Sequence, residues 1–120
     1  MTTASESNRI ELLYGTLDLL ILRTLLYGPS HGHAVAKHIQ RVSENALQIE
    51  TGSLYPALHK LERRGWIAAE WKKSDKGKRA RYYRLTPTGR EHLTAQQSRW
   101  EALSVAMARV LRPAEQESGP

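Results

Sequence analysis

The sequence predicts a mainly α chain that carries one small β-hairpin and ends in a long helix, an α+β arrangement. Three stretches carry that prediction. Thr51 to Ile67 reads as an amphipathic helix that stops at Gly65 and passes straight into a strand. Lys72 to Arg84 is rich in cations around the turn formers Ser74, Asp75 and Gly77, as expected of a hairpin longer than a two-residue turn. Pro87 to Leu111 opens on Thr86-Pro87, an N-cap followed by a proline at the first helical position, and continues to Arg112-Pro113.

The elements follow in order. Met1 to Asn8 is small and polar and reads as a flexible tail. Leu12 to Tyr27 is Leu-rich and apolar nearly all round, which predicts a helix buried against both its own domain and a second subunit. Gly28-Pro29 stops it. Ser30 is the expected cap of a second helix, His31 to Val42, whose inward stripe is Val35, Ala36 and Ile39. Ser43 to Glu50 is a loop. The third helix runs from Ser53 to Arg64, capped by Thr51 or Ser53, with Pro56 placed within the first turn or so, where a missing N–H costs little. Two strands follow. In Trp66 to Trp71, Ile67, Ala69 and Trp71 share a face; in Arg81 to Thr86, Tyr83 and Leu85 do. The last helix, Pro87 to Leu111, spans roughly 35–40 Å at 1.5 Å per residue. The expected organisation is a tail over 1–9, a folded domain over 10–86, a helix for dimerisation over 87–112 and a second tail over 113–120. No internal repeat or low-complexity segment is evident.

Charge narrows the partner. The chain has 18 Lys+Arg against 12 Asp+Glu, a net charge of +6, and a pI near 9.9. Lys72, Lys73, Lys76, Lys78, Arg79, Arg81 and Arg84 lie within thirteen residues beside one acid, Asp75, so the hairpin alone accounts for the excess. A localised positive patch calls for a polyanion. At 100° per residue, Leu54, Ala57, Leu58 and Leu61 of the third helix fall within about 60° of one direction, the core stripe. Gly52, Pro56, His59, Lys60 and Arg63 lie opposite, with Ser53 near that edge and Tyr55 on the flank. The small residues at the start of that face permit close approach to a duplex. The helix N-terminus presents free N–H groups to phosphate, and Lys60 and Arg63 reach phosphates or base edges. A polar-faced helix followed by a cationic hairpin is the layout of a winged helix-turn-helix. The expected DNA contacts are therefore Thr51, Gly52, Ser53, Tyr55, Pro56, His59, Lys60 and Arg63 on the helix. On the wing they are Lys72, Lys73, Lys76, Lys78, Arg79 and Arg81, whose phosphate contacts, near a minor groove at the tip, add affinity and salt sensitivity.

On the long helix, Leu93, Trp100 and Met107 are seven apart, Leu103 and Val110 fill the alternate heptad positions, and Gln96 interrupts the seam. A narrow apolar stripe on a helix that outlasts its domain predicts a homodimer. Its expected interface is Leu17, Leu20, Leu93, Trp100, Leu103, Met107 and Val110. Two recognition helices on a two-fold axis predict a palindromic double-stranded operator, with half-sites one turn, ~10 bp, or a multiple of it apart. Trp100 has two readings: ordinary interface packing, or an aromatic wall for a flat apolar effector between subunits.

Other classes find little support. The chain has no Cys, hence no disulfide and no thiolate site, which fits a reducing cytoplasm. His31, His33, His38, His59 and His92 have no recognisable metal-ligand spacing. Ser30 beside His31 has no acid placed to complete a triad, and no Gly-rich phosphate loop is present. Neither an enzyme nor a cofactor or metal is expected. Leu12 to Tyr27, broken by Asp18 and Arg23, is too short and too charged for a membrane span, and no secretory leader is expected. A cationic hairpin is also a poor membrane-surface device beside an amphipathic helix. The rival reading is a winged helix used for protein–protein contact without DNA readout, which needs no positive wing.

With these residues in view, the chain resembles the PadR family of bacterial transcriptional regulators over roughly residues 10 to 112. The resemblance rests on Gly15-Thr16-Leu17, on Gly28-Pro29-Ser30-His31-Gly32, and on Gly52-Ser53-Leu54-Tyr55-Pro56-Ala57-Leu58. It rests further on Leu61-Glu62-Arg63-Arg64-Gly65-Trp66-Ile67, on Arg81-Tyr82-Tyr83-Arg84-Leu85-Thr86, and on Gly89. The lone C-terminal helix is similar to the family's short branch. The resemblance implies a dimeric winged-helix regulator, usually a repressor, often of genes for phenolic-acid detoxification or multidrug efflux, with an inducer bound directly in some members. It also implies that Trp100 matches the effector-facing aromatic of the last helix. His33 stands where the family often has Tyr, and Thr51 where Glu is common; both flank the expected DNA surface, so operator preference is expected to differ.

Overall fold

The computed structural model describes residues 15–73 and 75–113. The expected N-terminal tail, the start of the first helix before Gly15, the turn residue Ser74 and the last tail from residue 114 lie outside the described residues. The order is α1 (Thr16–Leu25), β1 (Ser30–His31), α2 (Gly32–Val42), α3 (Thr51–Arg63), β2 (Ile67–Lys73), β3 (Arg79–Leu85) and α4 (Pro87–Val110). The strands form one antiparallel sheet in the order β1-β3-β2. This is a winged helix-turn-helix followed by a long helix, as expected from the sequence.

β1 is an addition to the sequence reading. Ser30 is not the cap of α2. Ser30 and His31 instead pair with Tyr83 and Tyr82, closing the sheet on the side away from the wing. His31 takes the cap, its Nδ1 accepting from Ala34 N at 3.2 Å. Its extended backbone (φ −82°, ψ 163°) serves a strand and an N-cap equally, so one residue fills both roles.

α3 also begins earlier than expected. Glu50 is its N-cap without a side-chain cap bond, and its carbonyl accepts from Ser53 N and Leu54 N at 2.9 Å. Pro56 therefore falls in the second turn, not the first, where it has no N–H to offer the Gly52 carbonyl. Gly52 is exposed, so water can take that place. The C-terminal stop is as expected. Gly65 adopts φ 76°, Trp66 N donates to Leu61 O at 3.1 Å, and Gly65 N donates to Glu62 O at 3.0 Å. This pair of bonds is a Schellman motif, and the left-handed residue it needs is most easily glycine.

The core sits where the three helices meet the sheet. Ile21, Leu22, Leu25, Val35, Ile39, Ile67 and Tyr83 are buried there with the whole predicted stripe of α3, Leu54, Ala57, Leu58 and Leu61. Burial pushes the Tyr83 hydroxyl above its ordinary pKa, which leaves it neutral beside Arg81 and Glu62. Leu17 and Leu20 are partly buried against this core. α4 packs on α1 over its first turns and then leaves the domain, and everything from Glu101 to Pro113 is exposed. Its start is clamped to the end of α3. Thr86 Oγ1 accepts from Gly89 N at 3.0 Å and donates to Gly65 O at 2.7 Å, Thr88 Oγ1 donates to Gly65 O at 3.1 Å, and Thr86 N donates to Trp66 O at 3.1 Å.

Candidate nucleic-acid interface

The amphipathicity that buries one stripe of α3 leaves the other outside. Thr51, Gly52, Ser53, Pro56, His59 and Arg63 are exposed along it. Tyr55 is on the flank, with its ring against the start of α2: a Cβ at Gly32 would lie 2.9 Å from Tyr55 Cε1. Tyr55 thus spaces α3 from α2 as well as presenting its edge to solvent. Lys60 differs from the sequence reading. Its Nζ lies 2.6 Å from Asp18 Oδ2, and both side chains are half-buried. It belongs to the flank that faces α1, because a carboxylate in the first turn of α1 draws the ammonium inward. Lys60 is not a free cation of the outer face.

The wing extends beside α3. Lys73, Lys76, Lys78 and Arg79 are exposed on it, with Gly77 at φ 78° in the turn. Lys72 pairs with Glu70 at 3.2 Å and lies 5.8 Å from the Tyr82 ring centroid. Arg81 is likewise committed. Its Nη2 lies 2.6 Å from Glu62 Oε2 on α3, which ties the wing to the recognition helix. A partly exposed pair of this kind contributes little stability, roughly 0–1 kcal/mol. Its geometric consequence matters more, since it holds the exposed face of α3 and the cationic hairpin at a set angle.

A cavity of about 360 Å³ opens between α1, α3 and α4. Trp66 stacks on His92 at 3.6 Å between centroids and 12° between planes, and both line it with Asp18, Lys60, Arg99 and Trp100. The Arg64 guanidinium lies 5.3 Å from the Trp66 ring centroid. Burial lowers the His92 pKa below its ordinary value; Arg64 and Arg99 push the same way, and Asp18 opposes them. The sequence reading missed Arg64, Trp66 and His92 as neighbours of Trp100: His92 lies about two turns earlier on the same helix, but Arg64 and Trp66 come from the end of α3 and are brought there only by the tertiary fold.

On α4, Trp100, Leu103, Met107 and Val110 are exposed, and Leu111 continues their stripe. Leu93 does not join them. It is 3% exposed and lies in the core of its own domain, where α4 still runs against α1. The heptad that links Leu93 to Trp100 therefore crosses from intradomain packing to free surface. Among the described residues no cluster of three or more His, Cys, Asp or Glu could hold a metal, and no helix is long and apolar enough to cross a membrane.

A three-helix domain with a protruding cationic hairpin, a polar face on its third helix and a long trailing helix is the structure of a winged-helix DNA-binding regulator. The PadR-like transcriptional regulator family model matches residues 21–95, more than half of the chain, and the chain belongs to that family. The transcriptional regulator Rv3488 of Mycobacterium tuberculosis is 38% identical over 65 residues, covering 54% of this chain and 60% of that protein. An uncharacterised protein of Lysinibacillus sphaericus is 29% identical over 92 residues, 77% of this chain and 84% of that one. Among solved structures, a PadR-family regulator from Eggerthella lenta superposes with a TM-score of 0.68 at 32% identity, covering 82% of this chain and 83% of its own. A transcriptional regulator from Clostridium thermocellum gives 0.75 at 28% identity, covering 82% and 95%. The chain is thus a DNA-binding transcriptional regulator, and members of its family are not enzymes.

Proposed function

We propose that this chain acts as a homodimeric, sequence-specific repressor that occupies a palindromic operator and is released by a small apolar or aromatic effector. The observation that carries the reading is the union of two features on one side of the domain. The exposed stripe of α3, ending at Arg63, adjoins the hairpin bearing Lys73, Lys76, Lys78 and Arg79, and the Glu62–Arg81 pair holds them together. In the complex, Thr51, Gly52, Ser53, Pro56 and His59 approach the major groove closely, and the wing cations contact flanking phosphates. The exposed stripe Trp100, Leu103, Met107, Val110 and Leu111 supports pairing with a second copy, since a run of large apolar side chains along one helix face is what a coiled seam buries.

The effector part of the reading draws on the cavity beside Trp100. Its aromatic stack and its position between the recognition helix and the dimer helix suit a planar ligand whose binding alters their relation. The test of the central claim is binding of the full chain to duplex DNA across a salt series. Affinity should fall steeply with salt, in proportion to the phosphates contacted. Binding that is absent or indifferent to salt would overturn it. For the effector, ligand-induced quenching of Trp fluorescence should be reduced in Trp100→Phe, with Trp66 of the same cavity supplying the remainder, and a quench that persists unchanged removes Trp100 from the site.

A further inference from the structure

We propose that Trp71 is a DNA-contact residue: its indole packs on the deoxyribose edge of the duplex at the corner between α3 and the wing, with Arg79 held over it to meet the adjoining phosphate. The proposal rests on the DNA-binding reading above and adds a contact of a different kind to it. Trp71 is 59% exposed, although the same face of β2 begins at the fully buried Ile67. The sequence pattern places Trp71 inward, but the core ends at Ala69 and the strand runs past it. A large apolar ring left outside, on a surface otherwise cationic, calls for a partner.

Register and pairing say which way the ring faces. In the β2–β3 ladder Trp71 lies opposite Arg81, and Lys73 opposite Arg79. Directly opposed residues share a face, so the indole stands in file with those three cations. Arg81 Nη2 bonds Glu62 Oε2 of α3 at 2.6 Å, which turns this face toward the recognition helix. The Arg79 Cζ lies 5.2 Å from the Trp71 ring centroid, a cation–π contact that orders both side chains before any ligand arrives.

Charge complementarity selects the occupant. The edge of a duplex alternates an apolar sugar with an anionic phosphate, and an indole flanked by guanidinium and ammonium groups matches that alternation. An acidic protein segment would match the cations but leave the ring without a regular apolar partner. The contact lies on the backbone, so it adds affinity with little sequence preference.

The test uses the full chain and a mixed-sequence duplex. Trp71→Ala should weaken binding about tenfold while leaving the salt slope unchanged, because an uncharged side chain releases no counterion. Trp71→Phe, which keeps a ring, should retain most of the affinity, and Arg79→Ala should lower the slope by about one. In 19F spectra of protein labelled with 5-fluorotryptophan, the resonance missing from Trp71→Phe should shift on adding DNA. Equal affinity of Trp71→Ala and wild type, with that resonance unmoved, overturns the proposal and leaves the DNA reading standing. A loss of affinity accompanied by a smaller slope also overturns it, since the cations rather than the ring would then have moved. If wild type itself gives no salt-dependent binding, the DNA reading falls and the proposal with it.

Discussion

Gly89→Ala is a substitution for which two physical arguments give opposite signs. Gly89 lies in the first turn of α4, and alanine is the better helix former by about 1 kcal/mol, so propensity alone predicts stabilisation. The packing predicts the reverse. A Cβ at Gly89 would collide with the Trp66 carbonyl oxygen and sit 2.8 Å from its carbonyl carbon and 3.0 Å from Leu85 Cδ1. Bringing the carbonyl carbon to an ordinary contact of 3.4 Å requires a retreat of at least 0.6 Å (3.4 minus 2.8), and the oxygen demands more. That carbonyl belongs to backbone which also accepts from Thr86 N, so no side-chain rotation relieves the clash. Overpacking of this kind costs roughly 1–3 kcal/mol. Loss of the Thr86 cap, whose hydroxyl oxygen accepts from Gly89 N, adds about 1 kcal/mol. Offset by propensity, the net destabilisation is about 1–3 kcal/mol, or a fall in melting temperature of roughly 4–15 °C for a domain of this size. Thermal unfolding followed by circular dichroism, at matched protomer concentration because association would shift the midpoint, measures it. A variant as stable as wild type, or more stable, would refute the steric reasoning.

Other consequences are separable. Arg63→Ala should lower the salt slope of duplex binding by about one, whereas Lys60→Ala should leave the slope unchanged and reduce stability, because it strands Asp18 without its 2.6 Å partner; equal slope losses would return Lys60 to the DNA face. His92 has a depressed folded pKa, so the folded state binds fewer protons than the unfolded one. Its contribution to stability is intact above about pH 6.5 and is lost as pH falls through the folded value. Urea midpoints should therefore decline on acidification across that window in wild type and decline less in His92→Gln; parallel profiles would reject the assignment. Met107→Glu should convert the proposed dimer to a monomer in sedimentation equilibrium, and a wild-type chain that already sediments as a monomer refutes the α4 seam.

The parts of the fold legible in the sequence are those set by local chemistry. The core stripe of α3 follows from a 3.6-residue period. Its end follows from a glycine at the one position needing φ 76°, and the start of α4 from Thr86-Pro87. What was not legible depends on residues far apart in the chain. Ser30–His31 becomes a strand only because β3 passes beside it, and β3 is about fifty residues away. Lys60 is indistinguishable from Arg63 on a helical projection until α1 places Asp18 next to one of them. Leu93 fits the heptad of Trp100 and Met107, yet α1 covers the first turns of α4 and not the rest. Trp71 alternates correctly for an inward residue, but alternation does not report where the core ends. In each case the local pattern is silent about a neighbour that only the tertiary structure supplies.

The same long-range contacts bear on how a signal would travel. α3 is held on three sides: to α1 through Lys60–Asp18, to the wing through Glu62–Arg81, and to α4 through Gly65 with Thr86 and Thr88. The third tie joins the glycine that stops the recognition helix to the first turn of the helix proposed to pair with a second copy. The close fit of Gly89 on the Trp66 carbonyl leaves that joint no room to slide. A domain braced in this way responds to a change in α4 as a rigid body. A small rotation of paired α4 helices would therefore reappear as a change in the distance between the two recognition helices, while each domain keeps its internal geometry. Trp66, stacked on His92 of α4 and following the cap of α3, lines the cavity at this joint. A ligand seated there would act beside the joint between the end of the DNA-reading helix and the start of the helix proposed to pair, and it need distort neither to alter operator fit.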